Sequence, residues 1–262
     1  SHIVGEGFTR AQNLIDLATE NNTAPYQFPI TKAYEMVSCF MGLLEYYKIT
    51  GEERLKTAVI NLASKILETD FTLTGGAGMS HELFDHSSAR QATPDVGDTP
   101  QETCVTVTWM NFCSRLWKLT GDSVYADAME KAFYNAYLGS INVEHKESIW
   151  LKEPIEKDGV VPTYLAFDSY SPLIPGKRGM KVGGYQVLPD KSYYGCCACI
   201  GSAGVGIFLK NAVTTDDDGI VVNFFENGSA QLKFNGTDVT VSMETGYPAD
   251  GGLTSVTVVA PA

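Results

Sequence analysis

Apolar residues in the first two-thirds of the chain recur every three or four positions, the spacing of one face of an α-helix. Five such stretches are expected. Residues 8–20 carry Leu14, Ile15, Leu17 and Ala18 on one stripe, and 31–48 carry Ala33, Tyr34, Val37, Phe40, Met41, Leu44 and Tyr47. Residues 53–68 carry Leu55, Ala58, Val59, Leu62 and Ile66, 102–119 carry Val105, Trp109, Phe112 and Leu116, and 124–138 carry Tyr125, Met129, Ala132 and Phe133. One segment occurs twice. Lys48-Ile49-Thr50-Gly51-Glu52 and Lys118-Leu119-Thr120-Gly121-Asp122 each join two of these stretches. A glycine there can take the left-handed conformation that closes a helix, and the acid after it suits the positive start of the next one. Ala58 and Ala128 then occupy matching places. Two alike helical hairpins predict an array of αα-hairpins closing as an (α/α) toroid, of which this chain holds a part.

From Gly219 the period shortens to two. Strands are expected over 220–225, 230–234, 239–243 and 254–259, separated by the turns Glu226-Asn227-Gly228, Asn235-Gly236-Thr237 and Asp250-Gly251-Gly252. Four strands are the start of a β-sandwich, which usually needs about seven, so the chain reads as part of a longer protein. The acidic turn Asp216-Asp217-Asp218-Gly219 marks the boundary between a helical unit, 1–215, and the sandwich, 216–262. It reads as a solvated loop, since the ligand spacing of a calcium loop is missing. Between these regions, 142–194 is rich in Pro, Gly, Tyr and Lys, with weak strand signals at 148–151 and 163–167. An excursion of this length is more often functional than an empty linker.

Composition narrows the classes. A chain of 262 residues that is 44% hydrophobic and 19% charged is globular, and no stretch has the length of a membrane span. The net charge of −12 leaves no basic stripe for phosphate contacts, which sets nucleic acid aside. The first residues lack a signal peptide's basic and apolar regions. The expected protein is soluble, and is cytoplasmic, or periplasmic or secreted if an upstream signal has been removed.

Six cysteines at uneven spacing make a poor disulfide scaffold. Cys39 and Cys113 lie in apolar helical runs and read as core thiols. The rest enter with two acids as features that could make a site: Glu82, the pair Glu102 and Cys104, and Cys196-Cys197, with Cys199 close behind. Glu102, Cys104, Cys196 and Cys197 could fill a tetrahedral metal site. Residues two apart on a helix diverge, so Glu102 must sit at a non-helical start for this to work. Adjacent Cys196 and Cys197 need an extended or loop backbone, which Gly195 favours. Spacing alone leaves two readings open, a metal site and buried free thiols. Trp109 and Trp117 read as core, and His86 and His145 as exposed loop residues. His81 and the Tyr193-Tyr194 pair are candidates to touch a ligand. The sequons at Asn227 and Asn235 fall in β-turns, where chance matches are common.

The segment Glu102-Thr103-Cys104-Val105, together with Gly195-Cys196-Cys197-Ala198-Cys199-Ile200-Gly201-Ser202-Ala203-Gly204, resembles glycoside hydrolase family 127. This is the β-L-arabinofuranosidase family first catalogued as domain of unknown function 1680. Its double-cysteine motif often continues CCxANGPRG. Residues 33–40 and 125–135 also look familial. The resemblance implies a zinc ion held by Glu102, Cys104, Cys196 and Cys197, with Cys196 the nucleophile. His81-Glu82-Leu83-Phe84 fits the family's Glu-x-Phe segment and makes Glu82 the acid/base. The implied activity is retaining hydrolysis of a furanoside such as a β-L-arabinofuranoside. The implied partner is a carbohydrate substrate, such as an arabinose-containing plant glycan, with no nucleic acid, no membrane and room for a homodimer. Ile200 and Ala203 stand where the family motif has Asn and Arg, and Cys199 is an additional thiol. A non-catalytic carbohydrate-binding or assembly protein on the same fold is the alternative, and a metal-free redox protein ranks third.

Overall fold

The computed structural model describes residues 11–79, 82–92, 101–141, 158–160, 166–167, 170–171 and 185–260. His81, His145 and the expected strand at 148–151 lie outside them, as does all but 166–167 of the one at 163–167. By compactness the chain divides into Ser1–Gly204 and Val205–Ala262.

The first unit is built from helices α1 (Ala11–Glu20), α2 (Ala33–Thr50), α3 (Glu53–Thr69), the single turn α4 (Ser87–Arg90), α5 (Thr103–Thr120) and α6 (Val124–Lys131). Helix α6 widens into a π turn over Ala132–Tyr137. Neighbours in space are α1 with α3, α2 with α3, α2 with α5, and α5 with α6, the pairing of successive αα-hairpins. The apolar stripes meet between them. Val37, Phe40, Leu44, Leu62, Ile66, Trp109, Phe112, Leu116 and Met129 are all buried. Among the described residues, no helix is long and apolar enough to cross a membrane.

The repeated pentapeptide closes both hairpins in the same way. Gly51 (φ 70°) and Gly121 (φ 68°) are the left-handed caps of α2 and α5, and their N–H groups donate to Tyr47 O at 2.7 Å and Trp117 O at 2.8 Å. Thr50 and Thr120 each return their hydroxyl to the carbonyl four residues back, at 3.1 and 2.9 Å. These bonds satisfy carbonyls that a helix end leaves free.

Short strands edge the helices: β1 (Gln101–Glu102) pairs antiparallel with β2 (Tyr170–Ser171), and β3 (Tyr185–Val187) with β4 (Tyr193–Gly195). Helix α7 (Cys196–Ala212) follows β4 directly, and the division between the two units falls within it.

In the second unit, β5 (Val213–Thr215) pairs with β6 (Ile220–Val222) across the acidic turn. There Asp216 Oδ1 accepts the N–H groups of Asp218 and Gly219, at 2.9 and 2.8 Å. Strands β7 (Gly228–Phe234), β8 (Thr237–Glu244) and β9 (Ser255–Val259) form an antiparallel meander. Val239, Val241 and Met243 alternate inward along β8. The strand expected over 220–225 stops at Val222, because Phe224 leaves the ladder to stack on Phe208 with centroids 4.2 Å apart. The side-chain amide of Asn227 is engaged at both ends by the backbone of Thr245, at 2.8 and 2.7 Å. The fold is thus a partial (α/α) hairpin toroid followed by the first strands of a β-sandwich.

Candidate active site

The site is assembled at the N-terminal ends of three helices. Glu102 is the extended residue preceding α5 (φ −92°, ψ 132°), held in β1, while Cys104 lies in the helix's first turn. The non-helical start that a shared metal requires of Glu102 is therefore present. The cysteine pair differs from expectation. Cys196 and Cys197 open α7 rather than lying on an extended or loop backbone. The β3–β4 hairpin delivers the chain to that point, and from the first turn of α7 both sulfurs reach Cys104.

Close packing fixes where α7 begins. Tyr137, in the π turn, donates its hydroxyl to Gly201 O at 2.7 Å. A Cβ at Gly204 would lie 2.3 Å from the Tyr137 ring, and one at Gly201 would lie 2.8 Å from Phe167. Both glycines are needed for that approach.

Glu82 reaches the site from the segment after α3. Its carbonyl accepts the Ala33 N–H at 2.8 Å, and Phe84 N–H donates to Thr31 O at 2.8 Å, which staples the segment to the start of α2. Buried Asp70 anchors the other side, its Oδ1 accepting the N–H groups of Asp85, His86 and Ser87 at 2.9, 2.9 and 3.2 Å. Burial pushes the Asp70 carboxyl up against the pull of these bonds. The side chain of Glu82 pairs with Lys32.

Glu82, Glu102, Cys104, Cys196, Cys199, Ile200, Tyr34, Glu35 and Tyr194 line one cleft of about 380 Å³. Candidate donor atoms of Glu102, Cys104, Cys196 and Cys197 all lie within 4.8 Å of one another. Cys104 Sγ is 4.0 Å from Cys196 Sγ and 3.0 Å from Cys197 Sγ, Cys196 Sγ is 3.9 Å from Cys197 Sγ, and Cys197 Sγ is 3.9 Å from Glu102 Oε1. Tetrahedral bonds of about 2.3 Å to sulfur place the sulfurs about 3.8 Å apart. Two of the three sulfur pairs have that spacing, and Cys104 and Cys197 would have to part by less than about 1 Å.

The electrostatics of the metal-free cluster are those of donors crowded around one negative charge. Hydrogen bonds with Cys104 and Cys197, aided by backbone N–H groups at the helix start, pull the Cys196 thiol down to about 3. Cys104 is driven far above the ordinary thiol range by the same bonds to Cys196 and Cys197 and by burial. The bond with Cys104 pulls Cys197 down, but the bond with Cys196, burial and nearby charge outweigh it and leave that thiol raised. Burial, the Cys196 charge and Glu35 push Glu102 up to about 8. Glu102 Oε2 is buried with no hydrogen-bond partner. A cation would pull the raised groups, Cys104, Cys197 and Glu102, back down and supply that oxygen's missing partner. Three thiolate sulfurs and a carboxylate oxygen are a donor set that suits zinc.

Other residues settle into structural places. Trp109 and Cys113 are fully buried, while Trp117 and Cys39 are half-buried. His86 is half-buried and stacks on Tyr26 with centroids 4.5 Å apart, outside the donor cluster. Tyr194 lines the cleft. Sequence reasoning passed over Lys32, Glu35 and the cleft-facing role of Tyr34. A signal for two of them was available: the 70-residue repeat that equates Gly51 with Gly121 also equates Lys32 with Glu102 and Tyr34 with Cys104.

Comparison with known proteins adds the following. Residues 9–161, more than half of the chain, match the family model described as β-L-arabinofuranosidase, GH127 catalytic domain. That span includes Glu82, Glu102 and Cys104, while the Cys196-Cys197 pair lies beyond it. No curated protein matches the chain. Among solved structures, Ara127N-Se, a GH127 β-L-arabinofuranosidase from Geobacillus stearothermophilus T6, is similar at 22% identity and TM-score 0.60, over 87% of this chain and 33% of that one. A GH127 β-arabinofuranosidase, BT3674, is similar at 20% identity and TM-score 0.58, over 91% of this chain and 35% of that one. A structure titled glycoside hydrolase is similar at 18% identity and TM-score 0.58, over 95% of this chain and 42% of that one. The chain therefore spans about a third of the length of the first two.

Proposed function

The chain belongs to the GH127 β-L-arabinofuranosidase family, and on that premise we propose that it carries the catalytic centre of a retaining glycoside hydrolase acting on a furanoside such as a β-L-arabinofuranoside. Glu102, Cys104, Cys196 and Cys197 hold a zinc ion, Cys196 is the nucleophile and Glu82 the acid/base. Residues 1–215 are read as the catalytic domain and 216–262 as the start of the sandwich, with β5 (Val213–Thr215), just before that boundary, paired to the first strand after it. The observation that carries the reading is the convergence of three sulfurs and a carboxylate within 4.8 Å, in a cleft that Glu82 also lines.

When bound, the zinc ion keeps its cysteine ligands as thiolates and fixes their direction. Cys196 Sγ attacks the anomeric carbon while Glu82 gives its proton to the leaving oxygen, forming a glycosyl-thioether with Cys196. Glu82, now a carboxylate, takes a proton from water as that water attacks the same carbon and frees Cys196. Two inversions give net retention. The ion pair of Lys32 with Glu82 suits the carboxylate form that Glu82 takes in the second step. Buried Cys104 and Cys197 are reserved for the metal, whereas Cys196 is accessible from the cleft.

The test is kinetics on an aryl β-L-arabinofuranoside with the full protein that contains this chain. Cys196→Ser should lose at least about 10³-fold in kcat, because a hydroxyl in its place is not activated. Wild-type turnover by that variant would overturn the nucleophile assignment. Ile200, an apolar residue in the cleft wall, favours one alternative, a carbohydrate-binding protein without turnover. Glycan binding with no product after long incubation would select it.

A further inference from the structure

The proposed chemistry leaves Cys199 without a role. It is accessible, lines the cleft and stands outside the four-donor cluster. Of the four thiols at this end of the molecule, Cys104 and Cys197 are buried, while Cys196 and Cys199 are open to solvent. These two are three positions apart in the first turn of α7, which starts at Cys196. Residues at that spacing share a helix face with Cβ atoms about 5–6 Å apart. A disulfide needs Cα atoms about 4.4–6.8 Å apart and Cβ atoms about 3.5–4.5 Å apart, so closing the pair takes a shift of about 1–2 Å in the first helical turn. Cys-x-x-Cys at a helix start is the spacing of dithiol redox couples.

We propose that Cys196 and Cys199 are an oxidisable dithiol at the mouth of the cleft, with Cys199 the thiol that resolves oxidised Cys196. The oxidant is a peroxide. Hydrogen peroxide transfers one oxygen to Cys196, giving the sulfenic acid and one water. Cys199 Sγ then attacks Cys196 Sγ. The S–S bond forms, the S–O bond breaks, and hydroxide leaves as a second water with the Cys199 proton. Two thiols lose two electrons in all, and peroxide gains them. The disulfide ties up Cys196 and withdraws one of the four donors. A thiol reductant restores it, whereas Cys196 without a resolving partner advances to the sulfinic acid, which such reductants do not reverse. That the disulfide switches off turnover rests on Cys196 being the nucleophile; the crosslink itself does not.

The experiment reads the crosslink by mass and needs no activity. The protein as purified is treated with hydrogen peroxide, its remaining thiols are alkylated, and the peptide holding Cys196, Cys197 and Cys199 is mapped by fragmentation. The expected product lacks two hydrogens, joins Cys196 to Cys199, leaves Cys197 free for alkylation after unfolding, and disappears with dithiothreitol. In Cys199→Ser, Cys196 should instead accumulate as sulfinic acid. A crosslink from Cys197 to Cys104 or to Cys196 would overturn the proposal. So would full alkylation of Cys199 after peroxide, or sulfinic acid at Cys196 in the unaltered protein. If Cys199→Ser fails to fold, the map of the unaltered protein decides alone. Failure here leaves the nucleophile assignment intact, because that is read from Cys196→Ser turnover without oxidant.

Discussion

Helices α2 and α5 have eighteen residues each and lie seventy positions apart, so Lys32 corresponds to Glu102, Tyr34 to Cys104 and Gly51 to Gly121. At their C-terminal ends the two match, with the same left-handed glycine, the same threonine back-bond and an acid directly after the glycine. At their N-terminal ends, the extended residue before α2 is a lysine that pairs with Glu82, and the one before α5 is a buried glutamate with an unpartnered oxygen. Tyr34 and Cys104 line the same cleft from matching positions. One end of the repeat is a structural closure and the other a platform whose side chains can differ without disturbing the hairpin. The cleft-lining side chains lie at the end where the two copies of the repeat differ.

That contrast can be broken at both ends. The largest effect belongs to the platform. Glu82→Gln should lower kcat on an alkyl arabinofuranoside by about 10²–10⁴-fold, and by much less on a substrate whose leaving group needs no proton. Equal losses on both substrates in steady-state kinetics would remove Glu82 from the acid role. Next is the anchor beneath it. Asp70→Ala strips a buried acceptor from three N–H groups and should cost about 3 kcal/mol in urea unfolding. A change under about 0.5 kcal/mol would mean the segment carrying Glu82 is held elsewhere.

A third, smaller effect follows from Glu102. In chelator-treated protein its carboxyl is raised from 4.5 to about 8, chiefly by burial. The folded state then keeps a proton that the unfolded chain has released, so this group's contribution to stability falls as pH rises between those values. Cys196, held at about 3, contributes an opposing rise across the same window, so the Glu102 decline is read as a difference: in thermal unfolding of the chelated protein, Glu102→Gln should make the slope against pH more positive than in the unaltered protein. A slope unchanged in Glu102→Gln would assign the decline to other groups. The smallest effect is at the closure. Gly51→Ala and Gly121→Ala should each cost about 1 kcal/mol, by similar amounts and without altering metal content, since each puts a side chain at positive φ. Unequal costs in paired unfolding curves would show that the two turns are not equivalent.

Much of this was legible in the sequence because helical periodicity and the glycine turns are local signals. Leu44, Leu62, Trp109 and Leu116 are buried where the 3.6-residue stripe puts them. Glu102 and Cys104 could be recognised as a pair because their donor types suit a metal and the apolar run from Val105 marks a helix start beside them. The helical setting of Cys196 and Cys197 was hidden. Gly201 and Gly204 weaken the helical pattern of α7, and they are there so that Phe167 and Tyr137 can approach. That is a tertiary reason with no local trace. Strand β6 ended early for a similar cause, the stacking of Phe224 on Phe208. Glu35 could not be found from pattern at all, since a glutamate in a helix's first turn has an ordinary explanation in the helix dipole.

The central claim is that Glu102, Cys104, Cys196 and Cys197 bind one zinc ion together. Zinc-edge X-ray absorption combined with elemental analysis tests it most directly, on the purified protein and on Cys104→Ser. The account predicts one zinc per chain, with a first shell of three sulfurs at about 2.3 Å and one light atom at about 2.0–2.2 Å. It predicts two sulfurs or no metal in Cys104→Ser. A protein that takes up no zinc, or a shell of nitrogen and oxygen alone, would contradict it.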